Sequence, residues 1–156
     1  MTHKSQLGNL GENIACQYLI KKGYRILERN FRKPWGELDI IAKAPDKTLV
    51  FVEVKTVTGV NGNSGDNCRL PSTRALGSVL DVQPEEQLTR AKLQKLKRTS
   101  SLYAGHFQEK IDDEKGWRID LLALTLQKTS GSILSKSNRL TISPKDCLIN
   151  HYENIH

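Results

Sequence analysis

Two apolar runs rich in β-branched residues, Glu37–Ala42 (ELDIIA) and Leu49–Val57 (LVFVEVKTV), stand either side of Ala44-Pro45-Asp46-Lys47. Runs of this composition are strands, and the Pro-Asp pair has turn chemistry, so the segment reads as a β-hairpin. Side chains alternate between the two faces of a strand. Leu49, Phe51, Glu53 and Lys55 therefore share one face of the second run, with Val50, Val52 and Val54 on the other, and Glu37 and Asp39 share a face of the first. With the turn centred on Asp46, antiparallel partners have numbers summing to 92, which sets Asp39 opposite Glu53 and Glu37 opposite Lys55. Opposed Cβ atoms on one face lie about 4.5–5.5 Å apart. Two carboxylates that close repel and favour a cation or a proton between them. A hard, oxygen-preferring cation such as Mg²⁺ fits, whereas a slip of one residue would break the geometry. The plain alternative is a solvated sheet face on which Glu37 and Lys55 form an ion pair worth about 0–1 kcal/mol.

The hairpin sits within a longer order. Residues 5–22 carry Leu7, Leu10, Ile14 and Tyr18 at helical spacing, and Gly23 is a natural stop. Gly8, Gly11 and Ala15 flank that stripe and would let the helix approach a sheet closely, with Glu12 beside them at the edge of the buried face. Tyr24–Arg32 reads as a first strand. Residues 58–81 are rich in Gly, Asn and Ser and read as an exposed loop bordering the hairpin. Pro84-Glu85-Glu86 has the chemistry of a helix start, and the helix should run to about Ala104, stopped by Gly105. Trp117–Leu126 is a fourth strand, 128–146 a polar stretch with a short strand at Arg139–Ile142, and Cys147–Tyr152 a last strand. The order α-β-β-β-α-β-β predicts an α/β chain, a mixed sheet with flanking helices, in a single domain over residues 1–156.

Charge narrows the partners. Among 156 residues, 24 Lys and Arg face 17 Asp and Glu, for a net charge of +7. Such an excess suggests a polyanionic partner, most naturally nucleic acid, against the plainer alternative of a solvated basic surface. Arg90, Lys92, Lys95, Lys97 and Arg98 cluster on the second helix without an acid among them. Lys92 and Lys95 fall inside its apolar stripe, where a lysine must snorkel or face a carboxylate-lined cleft; the cleft is the reading for Lys92. Phe31-Arg32-Lys33-Pro34-Trp35 mixes rings and cations in a loop suited to stacking bases and touching phosphates, or else Phe31 and Trp35 edge the core. The candidate nucleic-acid contacts are thus Arg32, Lys33, Arg90, Lys92, Lys97 and Arg98. His3, His106, His151 and His156 show no ligand spacing. No apolar run approaches the roughly 20 residues of a membrane span, and the N-terminus lacks the apolar core of a secretory signal. Cys16, Cys68 and Cys147 lie too far apart for a disulfide framework, which points to a reducing, cytoplasmic setting without membrane attachment.

Asp39 followed by Glu53-Val54-Lys55 on the next strand resembles the PD-(D/E)xK nuclease core, with Leu38 where that motif has proline. The wider pattern resembles the YraN-type family. It is carried by Gly8, Gly11-Glu12, Ala15, Tyr18-Leu19, Gly23-Tyr24, Ile26-Leu27, Arg29-Asn30-Phe31-Arg32, Gly36 to Ala42 and Val50 to Lys55. Pro84-Glu85-Glu86, Lys92, Leu96, Trp117-Arg118-Ile119-Asp120 and His151-Tyr152-Glu153-Asn154 extend it. The resemblance implies a restriction-endonuclease-like fold similar to archaeal Holliday-junction resolvases. It also implies Mg²⁺- or Mn²⁺-dependent endonucleolytic hydrolysis of branched or otherwise structured DNA, and a homodimer. It makes Glu12, Asp39 and Glu53 metal ligands or their supports and Lys55 the catalytic lysine. Val57 stands where many members carry arginine, and the loop 58–81 is longer than usual, departures that bear on substrate preference. The alternative is a non-catalytic nucleic-acid-binding protein that keeps the nuclease fold.

Overall fold

The computed structural model describes residues 3–59, 88–127 and 147–155. In chain order these form α1 (His3–Lys21), β1 (Arg25–Lys33), β2 (Gly36–Lys43), β3 (Leu49–Gly59), α2 (Arg90–His106), a 3₁₀ turn (Gln108–Lys110), β4 (Trp117–Gln127) and β5 (Cys147–Tyr152). The five strands make one sheet in the order β1-β2-β3-β4-β5. Neighbours run antiparallel except β3 and β4, which are parallel from Leu49–Trp117 to Gly59–Gln127. A parallel pair needs a crossover to bring the chain back, and α2 lies within that connection.

Hydrophobic period dictates how the layers stack. On α1, Ile14 is buried while Leu7, Leu10 and Tyr18 pack in partly, against Ile40, Ala42, Val50, Val52, Leu122 and Leu124 of the sheet. The opposite face carries Phe31, Leu38, Ile41, Leu49, Phe51 and Ile119 against Leu96 and Tyr103 of α2. The sheet thus lies between the two helices, and β3 feeds alternate residues to both cores.

The start of α2 departs from expectation. Residues 84–87 lie outside the described residues, and Leu88 and Thr89 precede the helix in non-helical conformation. Thr89 is the N-cap: its hydroxyl accepts the Lys92 N–H at 3.3 Å, satisfying one of the donors that a first turn leaves free. Gly105 falls inside the last turn rather than after it, and the Phe107 N–H closes the helix on Tyr103 O at 3.0 Å. Of the expected loop 58–81, Thr58 and Gly59 belong to β3 and the rest lies outside the described residues, as does the stretch 128–146 with its expected strand at Arg139–Ile142.

A buried carboxylate ties the end of the chain to the sheet. Asp120 is fully buried on β4. Arg118 Nε donates to it at 3.0 Å, the backbone N–H of Asn154 donates at 2.9 Å, and His151 Nε2 lies 3.0 Å from Oδ2. Arg118 also donates to the Tyr24 hydroxyl at 2.9 Å and pairs with Glu153 at 3.1 Å. Burial alone would raise the Asp120 pKa, but these donors outweigh it and hold the carboxyl below its ordinary value. His151, flanked by the rings of Tyr18 and Tyr24, is therefore a partner of this carboxylate.

Candidate active site

The hairpin register is the one expected up to a point. Ile40–Val52, Ile41–Phe51, Ala42–Val50 and Lys43–Leu49 are partners, each summing to 92. The ladder ends there, one step short of the expected pair between Asp39 and Glu53. β2 stays paired with β1 from Gly36 to Lys43 and β3 with β4 from Leu49 to Gly59, so only the contact between β2 and β3 is lost. Strict alternation fails in β2 at the same place, since Leu38 and Ile41 both pack on the α2 face. Where the strands part, the Val54 N–H has no carbonyl partner on β2, and Asp39 Oδ2 accepts it at 2.9 Å. The two acids are brought together by a split in the sheet, with one of them bonded to the backbone beside the other.

Glu53 is 2% exposed. Lys55 Nζ lies 2.7 Å from Glu53 Oε1 and Lys92 Nζ lies 3.4 Å from the same oxygen. Lys55 therefore pairs along its own strand and not across to Glu37, which is exposed. Lys92 reaches in from α2, which fulfils the cleft reading of a lysine in an apolar stripe. Glu53 Oε2 is buried and has no hydrogen-bond partner among the described residues, and Glu12 Oε2 is in the same condition.

Glu12 is carried to this place by close packing. A Cβ on Gly11 would overlap the side chain of Thr56 on β3, so only glycine lets α1 sit this tightly on the strand. Ala15, one turn on, is fully buried. Gly8 makes no such contact: a Cβ there meets nothing within 4 Å. Glu12 and Glu53 both lie near enough for their charges to act on Asp39. Burial first, then the charges of Glu53 and Glu12, push the Asp39 pKa up to about 6, against the Val54 hydrogen bond and the Lys92 charge, which pull it down. Among the described residues no group of three or more His, Cys, Asp or Glu side chains comes together as a ready-made metal cage. The donor set is instead carboxylate oxygen with open valence at Glu53 and Glu12.

The basic candidates divide. Lys33, Lys92 and Arg98 line one groove of about 490 Å³ between the β1–β2 turn and α2, together with Trp35, Glu37 and Lys95. Lys95 was identifiable from its place in the apolar stripe, three residues after Lys92. Arg90 borders a different cavity beside Glu153 and Asn154. Lys97 and Arg32 are exposed and line neither. Phe31 is 3% exposed and belongs to the core, while Trp35 is partly buried, stacked on His106 with centroids 5.7 Å apart. No helix among the described residues is long and apolar enough to cross a membrane.

A family model described as uncharacterised protein family UPF0102 matches residues 11–124. The chain belongs to UPF0102. The match takes in Glu12, Asp39, Glu53, Lys55, Lys92 and Asp120, and agrees with the family expected from the sequence. A UPF0102 protein of Corynebacterium efficiens is 33% identical over 132 residues, covering 83% of this chain and 86% of that protein. One from Syntrophus aciditrophicus is 38% identical over 127 residues, covering 81% and 82%. One from Syntrophomonas wolfei is 45% identical over 98 residues, covering 63% and 68%.

Proposed function

We propose that this UPF0102 protein is a metal-dependent DNA endonuclease that hydrolyses phosphodiester bonds, with branched or otherwise structured DNA as its substrate. The observation that carries the reading is the Asp39–Glu53 pair at the split between β2 and β3, with the buried, unpartnered Glu53 Oε2 and Lys55 bonded to the other oxygen. Buried carboxylate oxygens without partners are costly to keep unless something binds them.

The residues suit Mg²⁺ or Mn²⁺. These ions take hard oxygen ligands and are commonly held by one or two carboxylates, with water and substrate phosphate completing the shell. Asp39 and Glu53 would hold the ion, with Glu12 as a further ligand or support. When bound, it would neutralise charge developing on the phosphoryl oxygens and lower the pKa of attacking water. Lys55 has a distinct task. Fixed at 2.7 Å on Glu53 Oε1 and about one-third exposed, its ammonium can face the scissile phosphate and stabilise negative charge that exists only in the transition state. Lys92 supplies a second positive charge from the other wall, 3.4 Å from Glu53 Oε1.

A non-catalytic nucleic-acid-binding role is the second reading. It draws on Glu53 Oε1 already lying against two ammonium groups. Labelled junction, flap, single-strand and duplex DNA incubated with Mn²⁺, with and without chelator, separates the two. Chelator-sensitive nicking is expected; binding without nicking on any substrate would move the assignment to the binding module.

A further inference from the structure

The groove beside the carboxylates has features that phosphodiester hydrolysis alone does not require. Its walls carry Lys33, Lys92, Lys95 and Arg98 against the one carboxylate of Glu37. Its volume of about 490 Å³ falls in the range of about 300–1,000 Å³ usual for small-ligand sites. It is also held open in a fixed shape. Gly36, the first residue of β2 after the turn, presses on Thr99 of α2 so closely that a Cβ would overlap the threonine side chain, which clamps strand start to helix at that point. Trp35 is fixed beside it, stacked on His106 at an interplanar angle of 13° and packed on Phe31 at 5.2 Å. Lys92 belongs to both places, lining the groove and lying 3.4 Å from Glu53 Oε1.

We propose that this groove is a subsite for one unpaired nucleotide adjoining the phosphate at Asp39 and Glu53, an inference that rests on the nuclease reading and names its substrate class. The excess of cations selects an anionic occupant. Lys95 and Arg98 take the phosphate of the unpaired nucleotide, and Lys92 spans it and the neighbouring phosphate at the carboxylates. Trp35 lines the groove and would offer the base the part of its ring that His106 and Phe31 leave uncovered, and aromatic stacking accepts any base because every base has a π-face. A paired base is stacked on both sides and bonded to its partner, so a duplex can lay phosphates on the rim without entering between turn and helix. A strand end, bulge or branch supplies the unpaired nucleotide.

The test uses a labelled blunt DNA hairpin and the same hairpin with a short thymidine overhang, measured by fluorescence anisotropy in chelator. The parent is expected to bind the overhang about tenfold or more tightly than the blunt form. Trp35→Leu and the double variant Lys95→Ala/Arg98→Ala should each collapse that preference. The exposed side chains of the double variant keep the test valid should Trp35→Leu fail to fold. A parent without preference, or a double variant that weakens both probes equally and keeps the ratio, overturns the subsite. Cleavage with Mn²⁺ is scored separately. A parent that shows the preference but cuts nothing overturns the nuclease assignment and leaves the subsite standing, whereas one that cuts without any preference overturns the subsite alone.

Discussion

Lys92 of α2 and Lys55 of β3 converge on one oxygen of Glu53, at 3.4 and 2.7 Å, and leave the other oxygen buried and unpartnered among the described residues. The carboxylate is thereby divided into an end held by the protein and the end that the proposed ion would take. Lys55→Met keeps the stem and removes the charge. It should lower single-turnover cleavage of junction DNA by about 10²-fold or more, with gel-shift affinity little changed. Cleavage at the parental rate would refute the assignment. An unfolded variant, read in a thermal melt, would make Lys55 a structural partner of Glu53.

Asp39 is the second proposed ligand, and Asn at this position still offers an oxygen to the Val54 N–H. Asp39→Asn should therefore fold and bind Mn²⁺ at least about tenfold more weakly in calorimetry, a loss typical of disturbed metal sites. Undiminished binding would place the ion elsewhere.

The same variant makes a prediction for the metal-free protein. Asp39 titrates at about 6 in the fold and about 4 when unfolded. Below pH 4 both states are protonated and the burial of the carboxyl costs little. As pH rises through 4 to 6 the unfolded chain ionises first, and stability falls. Asp39→Asn should thus raise the melting temperature at pH 7.5 by a few degrees, about 1–2 kcal/mol after allowing for partial solvent exposure, and leave it unchanged at pH 4. An equal gain at both pH values would deny the shift.

Asp120 works with the opposite sign. Its pKa is held below the ordinary value, so its contribution is present above about pH 4 and is lost as pH falls through the folded pKa. Asp120→Ala leaves Arg118 and His151 without their shared partner and should cost about 3–5 kcal/mol in urea unfolding at pH 7, with a smaller difference in acid. A loss below about 1 kcal/mol would mean the cluster is solvated.

Salt dependence should separate the basic residues. A variant that neutralises one phosphate fewer than the parent has a log–log salt slope flatter by about 1. Arg98→Ala, in the groove, is expected to behave so, while Lys97→Ala should move the slope by much less. Equal effects would indicate a diffuse basic face.

The carboxylate site was legible because its determinants are local. Alternation in LVFVEVKTV and the turn at Asp46 set the register that the strands adopt from Ile40 to Lys43. The end of that ladder was not legible, because it depends on β2 following β1 and β3 following β4 past Ile40 and Val52, and the β3–β4 pairing is remote in sequence. The position of Lys92 was readable as an oddity, a charge within an apolar stripe; that its partner was Glu53 required the packing of α2 on the sheet. The start of α2 is hidden because Pro84-Glu85-Glu86 carries stronger start chemistry than Thr89, whose hydroxyl makes the cap. The Asp120 cluster draws on Tyr24, Arg118 and His151, which no spacing rule connects.

The parallel pairing of β3 with β4 also sets an order of assembly. The β2–β3 hairpin closes through a short loop, whereas Leu49 and Trp117 are remote in sequence, and such non-local pairings form late. Glu53 gains its flanking strand β4 at that step. In pulse-labelled hydrogen exchange during refolding, amides of β2 should gain protection before those of β4; the reverse order would show another nucleus. Until β4 arrives, Glu53 lacks one of the walls that bury it, so the seclusion of that carboxylate is among the last properties the chain acquires.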